Sequence, residues 1–155
     1  MIPRLWTLPL LAFLLGVPAG AQAQGGGNSC DISVTGVAFG TYNVFGGAPL
    51  QSTGTVSFRC GPAVSGPVLI KLSTGQSGTF LPRTLTQSTE ALAYNLYKNA
   101  ARTQVWGDES GGVTGVTLAL QKNTWVPVDV FAEIPPLQDV RAGTYTDTIT
   151  ATIEF

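Results

Sequence analysis

Tyr145-Thr146-Asp147-Thr148-Ile149-Thr150-Ala151-Thr152-Ile153-Glu154-Phe155 alternates between apolar and polar residues, the period of a strand with one face buried and the other in water. Tyr145, Ile149, Ala151, Ile153 and Phe155 share one face, and Thr146, Thr148, Thr150, Thr152 and Glu154 the other. Asp147 interrupts the apolar face near its start. The same period recurs upstream. Val126, Val128, Val130, Ala132 and Ile134 oppose Pro127, Asp129, Phe131 and Glu133; Val68, Ile70 and Leu72 oppose Lys71 and Ser73; Val56, Phe58 and Cys60 oppose Thr55, Ser57 and Arg59. Asp31 to Phe39 reads as a further strand. In the stretch 91–102 Leu92, Leu96 and Ala100 also satisfy a helical spacing, but Tyr94 and Leu96 alternate with Asn95 and Tyr97, which favours a strand over Leu92 to Lys98. Gly46-Gly47-Ala48-Pro49, Gly61-Pro62, Gly75 to Gly78, Gly111-Gly112 and Pro135-Pro136 punctuate these runs. Short strands separated by such turns predict an all-β, antiparallel sandwich.

Composition agrees. The 155 residues include 19 Thr, whose β-branched side chains suit a pleated surface, and 11% charged residues against roughly 25% in an average soluble domain. Eight basic and nine acidic residues leave a formal charge of −1, so no basic field attracts nucleic acid or anionic lipid, and neither is expected as a partner. The chain has no His, which removes histidine acid–base catalysis and nearly all zinc or copper sites. No cofactor is expected.

Residues 1–23 read as a secretory leader: Arg4, the apolar stretch Leu5 to Val17, then Ala21-Gln22-Ala23, with cleavage expected after Ala23. The stretch is shorter than the ~20 residues of a membrane span and is interrupted by Pro9 and Pro18, so no span is expected after leader removal. Residues 24–29 read as a flexible arm without an apolar side chain, and residues 30–155 as one domain. In an exported chain Cys30 and Cys60 read as a disulfide. If strands 31–39 and 53–60 are antiparallel neighbours, the two cysteines meet at their adjoining ends.

Catalytic readings are weak. Trp106-Gly107-Asp108-Glu109-Ser110-Gly111-Gly112 lacks the alternating oxygen ligands of a calcium loop and reads as a solvated turn. Asp129 and Glu133 could share a strand face as a glycosidase pair requires, yet outward charges on an exposed sheet are the commoner explanation. No G-x-S-x-G elbow occurs. Tyr94, Tyr97, Trp106 and Trp125 are candidates for a carbohydrate-stacking patch, or equally for core aromatics.

An ordered set of short motifs resembles the spore coat protein U domain family, shared with subunits of archaic chaperone–usher pili. They are Cys30-Asp31-Ile32-Ser33-Val34, Phe39-Gly40-x-Tyr42, Gly54-x-Val56-x-Phe58-x-Cys60, Lys71-Leu72-Ser73-x-Gly75, Leu92-x-Tyr94-Asn95-Leu96-Tyr97-Lys98, Ala100-Ala101-Arg102, Trp106-Gly107-Asp108 and Gly143-x-Tyr145-x-Asp147-Thr148 with a terminal aromatic. The resemblance implies an immunoglobulin-like sandwich lacking its last strand, with a hydrophobic groove that a periplasmic chaperone fills and an incoming subunit later takes over. It implies that Tyr145, Ile149, Ala151, Ile153 and Phe155 border that groove. The expected role is therefore a non-catalytic subunit of a secreted appendage or coat, with a chaperone, an usher and other subunits as partners, passing through the periplasm to the cell surface. The alternative is a secreted adhesin or lectin-like module. Because residues 24–29 offer nothing apolar to donate, a pilus tip or a coat that does not polymerise fits better than a rod.

Overall fold

The computed structural model describes residues 27–155; the expected leader and residues 24–26 of the expected arm lie outside the described residues. Eight strands follow in chain order: β1 (Cys30–Thr35), β2 (Leu50–Cys60), β3 (Val68–Leu72), β4 (Arg83–Gln87), β5 (Glu90–Tyr97), β6 (Val116–Leu118), β7 (Val126–Ile134) and β8 (Ala151–Glu154). They form a five-stranded sheet in the order β1-β2-β7-β5-β4 and a three-stranded sheet in the order β6-β3-β8, every pairing antiparallel. Burial follows the period read from the sequence. Val56, Phe58 and Cys60 of β2, Val68, Ile70 and Leu72 of β3, and Val130, Ala132 and Ile134 of β7 all turn into one core shared by the two sheets. Burying such side chains stabilises the fold by roughly 1.5–3 kcal/mol each.

Two expected strands are shorter than read. The run 31–39 leaves the sheet after Thr35, because Gly54 on the neighbouring strand has no side chain and the backbone of Thr35 and the Val37 side chain occupy that space. The chain then crosses the core: Val37, Phe39 and Tyr42 pack inward, Ser52 donates to the Ala38 carbonyl at 2.7 Å, and Phe39 meets Tyr94 edge to face at 6.1 Å. The run 145–155 is paired to β3 only over Ala151–Glu154. Upstream, Thr146 bridges to Thr86 of β4 in the other sheet. Asp147 turns inward, where its carboxylate accepts from the Tyr94 hydroxyl at 2.7 Å and from the Gln76 and Thr148 amides at 2.8 Å. A Cβ on Gly75, which sits at φ 70°, would overlap that carboxylate.

Strands β4 and β6 were not expected, and β4 holds a surprise for a period-two reading, since its buried residue is Arg83. Its guanidinium donates to the Ser73 carbonyl through Nε and Nη2, to Asn95 Oδ1 through Nη1 at 2.9 Å, and to the Trp106 carbonyl through Nη2 at 2.7 Å. Burial pulls this group below the usual arginine range, partly countered by the nearby Tyr94, Asp147 and Asp108. Asn95, expected to face outward, is buried for the same reason: its amide donates to the Phe80 carbonyl at 2.6 Å and completes the network.

Candidate functional site

Four strands have one edge without a strand partner among the described residues: β1, β4, β6 and β8. The outer edge of β4 is bridged to Thr146 through Thr86. β6 is three residues long, too short to template another chain. The remaining two face one another. β1 begins beside Cys60 and β8 ends beside Leu69, so both reach the pole where β2 turns into β3, and they run in opposite directions. Their Cα atoms approach within 8 Å, yet neither strand pairs with the other.

What lies between them is apolar. Ile32 is in register with Phe58 and Val34 with Val56, so both point to the core face, where their partners are completely buried. Ile32 and Val34 are nevertheless 37% and 44% exposed. Among the described residues no strand lies over them. From the other edge Ile149, Ala151 and Ile153 face the same space, half-buried. Phe155 follows at 54% exposure. Tyr145 lies beyond this groove, its hydroxyl donating to the Arg141 carbonyl and its neighbour Thr146 tied to β4. Two residues on from Tyr145, Asp147 is bound by Tyr94, which packs against Phe39. Of the residues named from the sequence, Ile149, Ala151 and Ile153 share the inward face of this edge, Phe155 is exposed beyond them and Tyr145 lies apart; Ile32 and Val34 face inward from β1. Their alternation with Asp31 and Ser33 was the available signal; their exposure shows only once the chain is seen to leave the sheet after Thr35.

Cys30 and Cys60 form the disulfide, opposite one another in the β1–β2 ladder. It fastens the open edge strand to a buried one. Residues 27–29 do not hang free: the Ser29 and Gly27 carbonyls accept from the Gly61 and Ala63 amides at 2.8 and 2.7 Å.

The other candidates disperse. Tyr94 and Trp106 are core residues, with the Trp106 indole donating to the Ile70 carbonyl at 2.9 Å; Trp125 is exposed under the Arg59 guanidinium, and Tyr97 lies beside Phe131 in the sheet. Burial, reinforced by the hydrogen bond to Asp147, holds the Tyr94 phenol far above its ordinary value. Asp129 and Glu133 are four strand positions apart, about 13 Å, beyond the ~5–9 Å of a glycosidase pair. Glu133 is engaged by the Gln51 amide at 2.9 Å. In the 106–112 loop Asp108 accepts from the Ser110 hydroxyl and amide, which lowers its carboxyl, and Glu109 accepts from the Gly115 amide at 2.6 Å. These carboxylates shape the turn.

A model of the Spore Coat Protein U domain matches residues 21–152. Protein U of Myxococcus xanthus is 35% identical over 131 aligned residues, covering 76% of this chain and 70% of that protein. Among solved structures, a chain in the crystal structure of a chaperone–tip adhesion subunit pre-assembly complex, from archaic chaperone–usher Csu pili of Acinetobacter baumannii, superposes with a TM-score of 0.54 at 26% identity over 82% of this chain. The present chain spans 40% of that one. The fold is accordingly the immunoglobulin-like sandwich that the motifs implied.

Proposed function

The chain belongs to the Spore Coat Protein U domain family, and from that premise we propose that it is a non-catalytic subunit of a surface coat or pilus that accepts a foreign strand between β1 and β8. The observation that carries the reading is the pair Ile32 and Val34, core-facing yet more than a third exposed beside an unpaired edge. An extended chain laid there supplies amides and carbonyls to both open edges while its alternate side chains cover that pair. Because β1 and β8 run in opposite directions, the guest is parallel to one and antiparallel to the other. Strands sit ~4.8 Å apart, so a guest needs about 9.6 Å between its neighbours and the two edges part to admit it.

The donor in the periplasm is a chaperone and, after export, a second subunit. The pre-assembly complex to which this fold is similar supports that order. Residues 24–29 have no apolar side chain to offer a neighbour's groove, and Gly27 and Ser29 are already engaged by the Gly61–Ala63 turn. This subunit therefore receives a strand without giving one, the property of a tip or of a coat unit outside the polymer. A binding role at the opposite pole is the second reading. Phe45 is 89% exposed and Leu137 68% exposed on two loops joined there by the Tyr42 hydroxyl, which donates to the Pro135 carbonyl and accepts from the Gln138 amide. That pole stays free when the groove is filled.

The test is co-expression of the full chain with the chaperone and usher genes of its own host, followed by isolation from the periplasm. An equimolar chaperone complex in which amides of β1 and β8 gain exchange protection supports the proposal. A protein that is monomeric and fully stable in the presence of excess chaperone, with unchanged exchange at both edges, overturns it.

A further inference from the structure

Along the β8 side of the groove the inward residues are Ile149, Ala151 and Ile153. The middle one is the smallest side chain that can still be called apolar, and it is set between two of the bulkiest. Behind it stands Leu72, its partner in the β3 ladder, buried; Ile153 is backed by Ile70, fully buried. The floor of the groove is therefore continuous, and the opposite wall carries Ile32 and Val34. The notch lies in the β8 row alone.

We propose that Ala151 is the specificity-determining residue of the groove: it selects a guest strand whose largest apolar side chain lies beside it, flanked by smaller ones. The inference rests on the strand-accepting role proposed above. In a sheet, side chains directly across from one another have Cβ atoms ~4.5–5.5 Å apart, so each inward guest residue competes for volume with one β8 residue. Beside Ile149 and Ile153 a bulky guest overpacks. Beside Ala151 a small guest leaves a void and a large one fills it. The length of the guest is bounded as well. The six residues of β1 span about 20 Å before the chain leaves the sheet after Thr35, which leaves room for three inward side chains. The selected guest has three apolar side chains in alternation, with the bulk in the middle.

The probe is a set of dye-labelled peptides of about seven residues, alternating threonine and valine, in which the central valine is replaced by phenylalanine, leucine or alanine. Each is titrated into the secreted, disulfide-bonded protein and into Ala151→Ile and Ala151→Val. The wild type binds the phenylalanine and leucine peptides about tenfold tighter than the alanine peptide, and both variants remove or reverse that order. Ala151→Val is the milder filling and covers the case in which Ala151→Ile fails to fold. If the peptides bind but their ranking is the same in wild type and variants, the role of Ala151 is overturned and strand acceptance stands. If no peptide stabilises or binds the wild type, both proposals fall.

Discussion

The two flanks of the sandwich are built from the same alternating strands and end in opposite ways. On the flank of β4 and β5 the sheets are stitched together. Trp106 donates its amide to the Leu96 carbonyl of one sheet, the next carbonyl, Gly107, accepts from Leu72 of the other, and Thr146 exchanges two backbone hydrogen bonds with Thr86. Arg83 fills the space behind with four donated hydrogen bonds, and Trp106 is fully buried. On the flank of β1 and β8 no such bond crosses among the described residues, and two core-facing side chains stay more than a third exposed. Edge strands are a liability that proteins cover, shorten or charge. This one covers one flank with its own loop and leaves the other flank apolar and long enough to pair. The difference is the one the proposed function needs: the cross-sheet hydrogen bonds lie away from the edge proposed to accept a strand.

The largest expected effect is on the closed flank. Trp106→Ala removes the indole, its hydrogen bond to Ile70 and the packing of both sheets, and costs about 3–5 kcal/mol in urea unfolding. A loss under ~1 kcal/mol would show that this flank is not the anchor. Next comes the one covalent restraint on the open flank. Replacing Cys30 and Cys60 by Ala frees a loop of 30 positions and costs roughly 3–4 kcal/mol on the chain-entropy account. Hydrogen exchange should show the added opening concentrated in Cys30–Thr35. Uniform loosening of all eight strands would mean that β1 is not an independent edge.

The closed flank also carries a pH signature. Tyr94 is held above its ordinary ionisation because its phenol is buried and donates to Asp147. A proton held more tightly in the folded state than in the unfolded one gives stability that is complete below pH ~10 and declines as pH rises beyond it. Tyr94→Phe loses that hydrogen bond, about 1–2 kcal/mol at pH 7, and the gap between wild type and variant narrows as the pH is raised above ~10. A gap constant to pH 11 would separate Tyr94 from the anchor.

The open flank was far more legible in the sequence than the closed one, and the reason is chemical. Alternation is a local signal, and it identified β7 to the residue, the ends of β2 that bring Cys30 against Cys60, and the inward row Ile149, Ala151 and Ile153. It failed where burial is satisfied by polar contacts from distant segments. Asn95 alternates with Tyr94 and Leu96 and so reads as outward, and Arg83 lies in no run that the alternation marks; their hydrogen bonds to one another, Ser73, Phe80 and Trp106 make them core. It also overran at both ends of the groove. Nothing local distinguishes Thr35 from Val37, where the chain dives past Gly54, or Tyr145 from Ile149, where Asp147 holds the chain off β3. Ile32 and Val34 show the limit most plainly: their face is readable, but whether anything covers that face is a property of the whole topology.

Those two residues also give the smallest expected change in stability and the sharpest test of the contrast between the flanks. Full burial of an isoleucine makes truncation to alanine cost ~2–5 kcal/mol, as expected for their fully buried register partners Val56 and Phe58 when cut to alanine. Ile32 and Val34 already keep more than a third of their surface in water, so much of the transfer gain has not been collected in the isolated subunit. Ile32→Ala and Val34→Ala should each cost less than ~1 kcal/mol in urea unfolding of the free protein. Under the proposed function the missing part is gained when a guest strand covers them. The same substitutions should therefore weaken guest-strand binding by about tenfold each, a larger effect on assembly than on folding. If either substitution destabilises the free subunit by more than ~2 kcal/mol, the residue is already packed and the flank is closed. If both leave folding and strand binding alike unchanged, the edge is open but is not where the partner docks.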